Sequence, residues 1–218
     1  MEVRQLGRLG YEAGLALQER CVLERRKGGL DRLLLLEHPH VITSGSGSDP
    51  AHVLLSPEAL EASGIEHFDT RRGGDVTYHG PGQLVGYPIL DLKPDRKDLH
   101  GYLRALESVL IRALVSWELE GERMPPNTGV WVGGAKVAAL GVRVSSGWIT
   151  SHGFALNANT DLSYFRTIVP CGIADRDVTS LTRLLGRDVS VEEAGEAVAD
   201  AFAAEFGYGQ VVRRAGEP

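Results

Sequence analysis

The chain of 218 residues has little cysteine, few aromatic residues and no long apolar run. Two cysteines, Cys21 and Cys171, are too few for a disulfide framework and fit a reducing compartment. Apolar runs such as Leu33 to Leu36 fall far short of the roughly 20 residues that a membrane-spanning helix needs. Because no charged leader precedes an apolar stretch at the N-terminus, we expect no signal peptide. The sequence predicts a cytoplasmic protein without a membrane partner.

Basic residues are fewer than acidic ones, with 23 Lys and Arg against 29 Asp and Glu. The formal net charge is −6 and the pI is near 5.7, so a broad nucleic-acid-binding face is not expected. With 43% hydrophobic and 24% charged residues, the composition is that of an ordinary globular protein with a full core. The length, without repeats or convincing linkers, predicts a single domain spanning 1–218.

The apolar pattern predicts strands in runs, with helices between the runs. Neighbouring strands are joined by turns too short for a crossover helix, which disfavours a doubly wound parallel sheet. We therefore predict an α+β fold with mixed, largely antiparallel sheets flanked by helices. Predicted helices cover 10–27, 57–62, 98–119 and 191–206, with caps at Ser56, Asp98 and Ser190, and predicted strands cover 33–36, 41–43, 66–69, 84–90, 130–132, 136–144 and 148–156.

Residues 72–83 (RGGDVTYHGPGQ) combine four glycines with a dense set of polar and titratable side chains. Glycines let backbone amides approach a bound group closely or adopt positive φ. Such a loop, feeding the apolar strand at 84–90, is typical of a tight structural turn or of a small-molecule cradle. Its Arg, His, Tyr and Gln favour the binding site.

Cys171 lies between Pro170 and Gly172, which favour a bend around its thiol. Free cysteines are often simply buried, and Cys21, with Leu17 one turn before it on a predicted helix, is interpreted as structural. A nucleophilic cysteine needs its thiolate, and a free thiol with a pKa of about 8.5 is only a few per cent ionised at neutral pH. Cys171 is therefore either structural or a nucleophile that needs a cationic or basic neighbour.

Lys136 is the only charged residue in the small, apolar segment 133–141 (GGAKVAALG). Most such lysines extend from a strand edge to water. Desolvation lowers the pKa of a lysine that points inward, and such a lysine could exchange a proton with a nearby thiol. The sequence alone leaves both interpretations open.

The histidines allow several roles. His38 and His40 have the spacing of metal ligands, but the proline between them and the lack of further ligands disfavour a metal site. His79, in the glycine-rich loop, and His152 could each donate to a carbonyl oxygen or hold a neighbouring residue. Either could equally be a structural histidine.

Three sequence blocks resemble the lipoyl(octanoyl) transferases, the enzymes that begin protein lipoylation. The blocks are 72–83 (RGGDVTYHGPGQ), 129–141 (GVWVGGAKVAALG) and 151–172 (SHGFALNANTDLSYFRTIVPCG). The match runs from roughly residue 70 to residue 180 and extends more loosely to His38-Pro39-His40. The resemblance implies the α+β fold of biotin protein ligases and lipoate protein ligases.

The resemblance also implies a reaction. An octanoyl group would pass from octanoyl-acyl carrier protein, through a thioester on Cys171, to the lysine ε-amine of a lipoyl domain, in lipoate biosynthesis. Lys136 would take the thiol proton, and no ATP, cofactor or metal would be needed. Acceptors would be the lipoyl domains of 2-oxoacid dehydrogenase complexes and the glycine-cleavage carrier protein. Substrate binding would fall to Arg72, Gly73, Gly74, Asp75, Val76, Thr77, Tyr78, His79, Ala139, Leu140, Gly141, His152, Gly153 and Phe154.

Three other functions compete with this one. An ATP-dependent lipoate or biotin ligase would need the lysine but not a cysteine nucleophile. A binding module would keep a pocket with an inert thiol, and a cysteine hydrolase would not let an acyl-enzyme wait for an amine. If a transferase meets an acidic carrier protein, it needs a local positive patch, for which Arg71 and Arg143 are the candidates.

Overall fold

A computed structural model describes residues 1–169 and 177–216 of the chain. Within these residues the strands are β1 (Glu2–Arg8), β2 (Arg32–Glu37), β3 (Val41–Ser44), β4 (Glu66–Asp69), β5 (Val76–His79), β6 (Gln83–Ile89), β7 (Glu122–Met124), β8 (Asn127–Val132), β9 (Ala135–Val144), β10 (Thr150–Asn157) and β11 (Val212–Ala215). The α-helices are α1 (Tyr11–Arg26), α2 (Pro57–Ala62), α3 (Leu99–Leu114), α4 (Leu181–Leu185) and α5 (Val191–Phe206), and short 3-10 helices cover Pro50–His52, Val115–Trp117 and Leu162–Thr167.

The strands form two sheets. The large sheet has the order β11-β1-β2-β6-β10-β9-β8-β7, and the small sheet has the order β4-β3-β5. Strand β1 pairs in parallel with β2 and β11, β3 pairs in parallel with β4, and the other pairings are antiparallel. The predicted α+β fold with mixed, largely antiparallel sheets is confirmed.

Strand β2 shows why a run of four leucines suits the centre of the large sheet. Because side chains alternate along a strand, Leu33 and Leu35 join the core formed with α3 and α5 on one face. Leu34 and Leu36 join a second core on the opposite face, beneath α1. Helices therefore cover both faces, which explains an apolar run without polar interruption.

The small sheet has its own core, made by Ile42, Val76 and Tyr78 together with Leu60 of α2 and Phe165. Strand β5 forms one edge of this sheet. The segment that precedes β5 lies against the large sheet, because the Gly73 amide donates to the Val142 carbonyl at 2.9 Å. The glycine-rich loop therefore bridges the two sheets.

Most of the predicted elements are confirmed to within a few residues. The Ser56 hydroxyl accepts from the Ala59 amide at 3.3 Å, and the Ser190 hydroxyl accepts from the Glu193 amide at 3.1 Å, as expected of helix caps. Asp98 stands at the N-cap position of α3, but its side chain makes no capping hydrogen bond. The helix predicted over 98–119 is shorter: α3 ends at Leu114, and a 3-10 turn then leads to Glu118, whose φ is 57°. The apolar pattern continues through the 3-10 turn to Trp117, and the left-handed Glu118 then ends the helical segment.

Candidate active site

A central cleft lies between β5, at the edge of the small sheet, and strands β9 and β10 of the large sheet. Its cavity volume is about 40 Å³, and together with the open solvent at its mouth it holds about 470 Å³ of space between atoms. Its walls come from the glycine-rich loop, the middle of β9 and β10, the start of α1 and one residue of β6. The lining residues are Tyr11, Arg72, Gly74, Asp75, Thr77, His79, Tyr87, Ala139, Leu140, Gly141, His152, Gly153, Phe154 and Ala155.

Three distant stretches of sequence thus meet at one place. Of the fourteen residues predicted to bind substrate, all but Gly73, Val76 and Tyr78 line the cleft. Strand alternation explains two of the exceptions, since Thr77 and His79 of β5 face the cleft while Val76 and Tyr78 face the small-sheet core. The Tyr78 hydroxyl lies 2.8 Å from the Nδ1 atom of His40, away from the cleft.

Glycine is needed at two positions in the walls of the cleft. A Cβ atom on Gly153 would lie 2.2 Å from the Gly86 carbonyl oxygen on the neighbouring strand, and one on Gly141 would lie 3.0 Å from the Gly73 carbonyl oxygen. The first distance is impossible for a real side chain, and the second is tight. Strands β6, β9 and β10 therefore bring bare backbone to the cleft, with Ala139 and Ala155 beside it.

Arg72 supplies a cation to the cleft, although only 7% of the residue is exposed. Its guanidinium donates to the Thr43 carbonyl and hydroxyl oxygens and, at 3.1 Å, to the Gly73 carbonyl oxygen. Strand β3 of the small sheet therefore fixes this side chain. A buried guanidinium held in this way is suited to face a polar group of a bound substrate.

Three histidines around the cleft are held in their neutral form. Burial lowers the pKa of His38 to about 4, that of His79 to about 3 and that of His152 to about 4. Charge adds to this effect, because Arg72 also lowers the pKa values of His79 and His152. The imidazoles of His79 and His152 near Arg72 thus stay uncharged at neutral pH.

The cleft also has two tyrosines that the sequence did not single out, Tyr11 and Tyr87. The Tyr87 hydroxyl lies 2.8 Å from the Nε2 atom of His38, whose Nδ1 atom lies 2.6 Å from the Leu9 carbonyl oxygen. The Tyr11 ring packs against the rings of His38 and His79, with centroids 5.1 and 6.4 Å apart. Burial raises the pKa of Tyr11 to about 12, so its hydroxyl keeps its proton.

His152 interrupts the regular path of β10. Its φ is 55°, in the left-handed region that residues with a side chain rarely adopt. Its amide donates to the Oε1 atom of the buried Gln18 side chain on α1 at 2.7 Å. This contact holds the His152 ring beside Tyr87, with centroids 6.2 Å apart.

His38 and His40, the residues with metal-ligand spacing, face different partners. Both ring nitrogens of His38 are engaged by Leu9 and Tyr87, whereas the His40 ring stacks on Tyr164 with centroids 4.3 Å apart. Among the described residues, no group of three or more His, Cys, Asp or Glu side chains is arranged to hold a metal ion.

Lys136 lies inside the protein rather than at a solvent-facing edge, with 8% of the residue exposed. Its Nζ atom lies 4.8 Å from the centre of the Trp131 ring and 3.5 Å from the Thr128 carbonyl oxygen. Its backbone pairs with the chain after residue 176, since the Lys136 amide donates to the Asp177 carbonyl at 2.9 Å. Lys136 stands on the same strand as the cleft residues 139–141.

Cys171, the predicted nucleophile, falls in 170–176 and lies outside the described residues. The described chain ends before it at Val169, whose amide donates to the His52 carbonyl at 2.8 Å, and begins again at Asp177. Cys21, the cysteine interpreted as structural, is buried on α1 with 2% exposure, and burial raises the pKa of its thiol.

A second groove, which we call the arginine groove, runs beside the cleft between α1 and the hairpin of β9 and β10. Its positive residues are Arg26, Arg71 and Arg143, and its negative residues are Glu19 and Asp69. None of the three arginines makes an ion pair with another of the described residues. His152 lines both the groove and the cleft, so the two are neighbours.

The fold and the cleft define a class of protein. The family model of the lipoyl protein ligase A/B catalytic domain matches residues 10–203, and the chain belongs to this family. Within it the chain is similar to octanoyltransferases. It is 52% identical over 207 residues to that of Solibacter usitatus (94% of this chain, 93% of the relative) and 51% identical over 205 residues to that of Rubrobacter xylanophilus (93% and 92%). The chain is an acyltransferase of the octanoyltransferase group.

Solved structures agree with the fold. A bipartite lipoate protein ligase from Thermoplasma acidophilum superposes with a TM-score of 0.79 at 18% identity, over 100% of this chain and 86% of that chain. Biotin protein ligase from Aquifex aeolicus gives a TM-score of 0.54 at 16% identity, over 95% of this chain and 69% of that chain. At these identities the likeness concerns the fold alone, and the predicted likeness to both ligase types is confirmed. None of the described helices is both long enough and apolar enough to cross a bilayer.

Proposed function

We propose that this acyltransferase moves an octanoyl group from octanoyl-acyl carrier protein to a lysine of a lipoyl domain, with Cys171 as the nucleophile and Lys136 as its proton partner. The observation that carries the proposal is the cleft, in which a buried cation and neutral polar rings adjoin a wall of glycine and alanine. The wall suits a linear acyl chain, while Arg72 and the rings suit the polar end of the substrate. The acceptors are the lipoyl domains of 2-oxoacid dehydrogenase complexes and the glycine-cleavage carrier protein, and the location is the cytoplasm.

The reaction has two balanced steps. The Cys171 thiol loses its proton to Lys136 and attacks the carbonyl carbon of the donor thioester; a new C–S bond forms, the old one breaks, and the carrier's thiol leaves with a proton. The amine of the acceptor lysine then attacks the acyl-enzyme, an amide C–N bond forms, and the C–S bond to Cys171 breaks. A proton from the amine passes through Lys136 back to the Cys171 sulfur. The first step exchanges one thioester for another, and amide formation drives the second.

The position of Lys136 supports its assigned role. It is buried on β9, three residues from the cleft residue Ala139, and its backbone pairs with Asp177, six residues after Cys171. A buried amine near a thiol can exchange a proton with it without competition from bulk water.

Burial of the acyl chain in the cleft would favour binding, but it would not give a strict choice of chain length. Burying an apolar chain contributes about 0.8 kcal/mol per methylene, or at most roughly 5–6 kcal/mol for about seven carbons. Rejecting a chain one methylene longer or shorter is worth only about 1–3 kcal/mol. We therefore expect a graded preference among acyl chains.

The arginine groove supplies a positive surface for an acidic carrier protein, although the enzyme itself has a net charge of −6. The groove adjoins the cleft at His152, so a phosphopantetheine arm in the groove would lead its thioester to the cleft. Replacing Arg71 or Arg143 by Glu should raise KM for octanoyl-acyl carrier protein in a salt-dependent manner, with little effect on octanoyl-pantetheine. Lys97→Glu, an equal charge reversal at an exposed site outside the groove, is the matched control, and equal effects of all three variants would contradict this docking surface.

The transferase and the ATP-dependent ligase make opposite predictions in one assay. Purified enzyme is given a lipoyl domain with either octanoyl-acyl carrier protein alone or octanoate plus ATP. We expect octanoylation only from the carrier protein, its loss in Cys171→Ala, and its retention in Cys21→Ala, which removes the buried cysteine of α1. Transfer from octanoate plus ATP, independent of Cys171, would replace our proposal by the ligase.

A further inference from the structure

A chain of buried side-chain hydrogen bonds connects β6, β10 and β5. The Nδ2 atom of Asn157 donates to the Thr179 carbonyl oxygen at 3.0 Å, and the Nε2 atom of Gln83 donates to the Oδ1 atom of Asn157 at 2.9 Å. The Oε1 atom of Gln83 lies 2.7 Å from the Nδ1 atom of His79. His79, Gln83 and Asn157 have exposures of 7%, 1% and 4%, so water does not compete for these bonds.

Backbone carbonyls at two points fix the direction of this chain. A carbonyl can only accept, so the Thr179 carbonyl requires the amide nitrogen of Asn157 on its side and the amide oxygen toward Gln83. Gln83 must then turn its own nitrogen toward Asn157, and the Tyr78 carbonyl, 3.2 Å from the same nitrogen, requires the same orientation. The Gln83 oxygen is left facing His79, and the Nδ1 atom of His79 must carry the hydrogen.

The state of the His79 ring follows. A neutral imidazole has one hydrogen, so the Nε2 atom of His79 presents a lone pair and can accept but not donate a hydrogen bond. The ring lines the cleft, and burial and nearby Arg72 keep it from taking a second proton. In the proposed reaction, the group that needs an acceptor is the incoming amine, whose N–H must be oriented while its lone pair attacks the acyl carbonyl.

We infer that Gln83 and Asn157 are positioning residues that hold His79 in the Nδ1–H form, so that its Nε2 atom orients the amine of the acceptor lysine in the second step. The link to the amine rests on the proposed function, whereas the form of the ring does not. The same chain of hydrogen bonds connects His79 to the strand of Lys136, because the Thr179 amide donates to the Lys136 carbonyl at 2.9 Å.

NMR can determine directly which ring nitrogen of His79 carries the hydrogen in the intact protein. Protein labelled with ¹⁵N-histidine gives separate NMR signals for protonated and unprotonated ring nitrogens, and His79→Gln identifies the signals of His79. We expect a protonated Nδ1 and an unprotonated Nε2 throughout pH 6–8. An Nε2–H form in the wild type would overturn the inference.

Variants then test whether Gln83 and Asn157 set this form. In Gln83→Leu the acceptor at Nδ1 is lost, and we expect the His79 signals to move toward the Nε2–H form. Asn157→Ala should move them less, because the Tyr78 carbonyl still orients Gln83. Gln18→Leu removes another buried amide, one that contacts the backbone of His152, and should leave His79 unchanged. An unchanged His79 spectrum in folded Gln83→Leu would refute the positioning role.

The catalytic consequence is measured step by step. Single-turnover mass spectrometry follows acylation by octanoyl-acyl carrier protein and discharge of the acyl-enzyme to a lipoyl domain. In Gln83→Leu we expect discharge to slow about tenfold or more, the equivalent of about 1.4 kcal/mol, with a much smaller change in acylation. A changed ring form with unchanged discharge would refute the link to the amine. Absence of any acyl-enzyme in the wild type would instead refute the proposed function and leave the NMR result standing.

Discussion

Acid should destabilise this protein through its buried histidines, and His38 allows the effect to be isolated. The residue has no exposed surface, and its two ring nitrogens are engaged by the Leu9 carbonyl and the Tyr87 hydroxyl. Because the carbonyl can only accept, Nδ1 carries the hydrogen and Nε2 accepts from Tyr87. Protonation would place a second hydrogen against the tyrosine hydroxyl in a buried site.

The magnitude follows from the pKa values. The pKa of His38 falls from 6.5 in the unfolded chain to about 4 in the folded protein, mainly through burial. Below pH 6.5 the unfolded chain binds a proton that the folded protein does not. The free energy of unfolding therefore decreases as the pH is lowered from 6.5 to about 4. At pH 5 the loss due to this one residue is about 2 kcal/mol, since each pKa unit corresponds to about 1.36 kcal/mol.

Urea unfolding at pH 7.5 and pH 5 tests this. His38→Gln keeps a neutral amide at the site at both pH values, and we expect its free energy of unfolding to fall by about 2 kcal/mol less than that of the wild type. His100→Gln, at an exposed position on α3, serves as the control and should follow the wild type. If His38→Gln loses as much stability at pH 5 as the wild type does, His38 is not held neutral by burial.

Three further predictions concern packing, a buried charge and chain length. Gly153→Ala should destabilise the protein by about 3 kcal/mol or more in urea unfolding, because the new Cβ would meet the Gly86 carbonyl oxygen at 2.2 Å. Gly209→Ala, with no atom within 4 Å of the new Cβ, should change stability little. Glu107→Gln removes a fully buried carboxylate that accepts from Arg104, Arg123 and the Gly129 amide. The free energy of unfolding should fall by about 2–3 kcal/mol, and not by more because both arginines are partly exposed. Glu205→Gln, in a surface pair with Arg112, should lower it by under about 1 kcal/mol. Ala139→Leu narrows the cleft and should change the ratio of kcat/KM for octanoyl to that for hexanoyl carrier protein by about tenfold or more in favour of hexanoyl. Ala204→Leu on α5 is the control. An unchanged chain-length profile in Ala139→Leu would mean that the acyl chain binds elsewhere.

Much of the fold could be predicted because local patterns and tertiary packing agree. The strand-like apolar run of 136–144, the helix caps at Ser56 and Ser190, and the leucine run of β2 each indicate what the structure contains. The pairing of β1 with β11 could not be predicted. Glu2–Arg8 mixes charged and apolar residues without a clear pattern, and its partner lies some two hundred residues away.

The candidate site could be predicted where residues cluster in the sequence and not where they meet only in space. The glycine-rich loop and the segments around Lys136 and His152 are visible as motifs, and the structure brings most of their predicted binding residues around one cleft. Tyr11 and Tyr87 stand in ordinary apolar patterns at the start of α1 and within β6, so nothing in the sequence distinguishes them from core tyrosines. The hydrogen-bond chain from Thr179 to His79 likewise depends on amide orientations that only the packed structure determines.

The central claim is that octanoyl transfer passes through Cys171, and intact-protein mass spectrometry tests it most directly. Wild type, Cys171→Ala and Cys21→Ala are incubated with octanoyl-acyl carrier protein and then with a lipoyl domain. We predict a single octanoyl adduct in the wild type and in Cys21→Ala, none in Cys171→Ala, and discharge of the adduct when the lipoyl domain is added. Transfer to the lipoyl domain by Cys171→Ala, with no adduct on any enzyme, would contradict this account and mean that the acceptor lysine attacks the donor thioester directly.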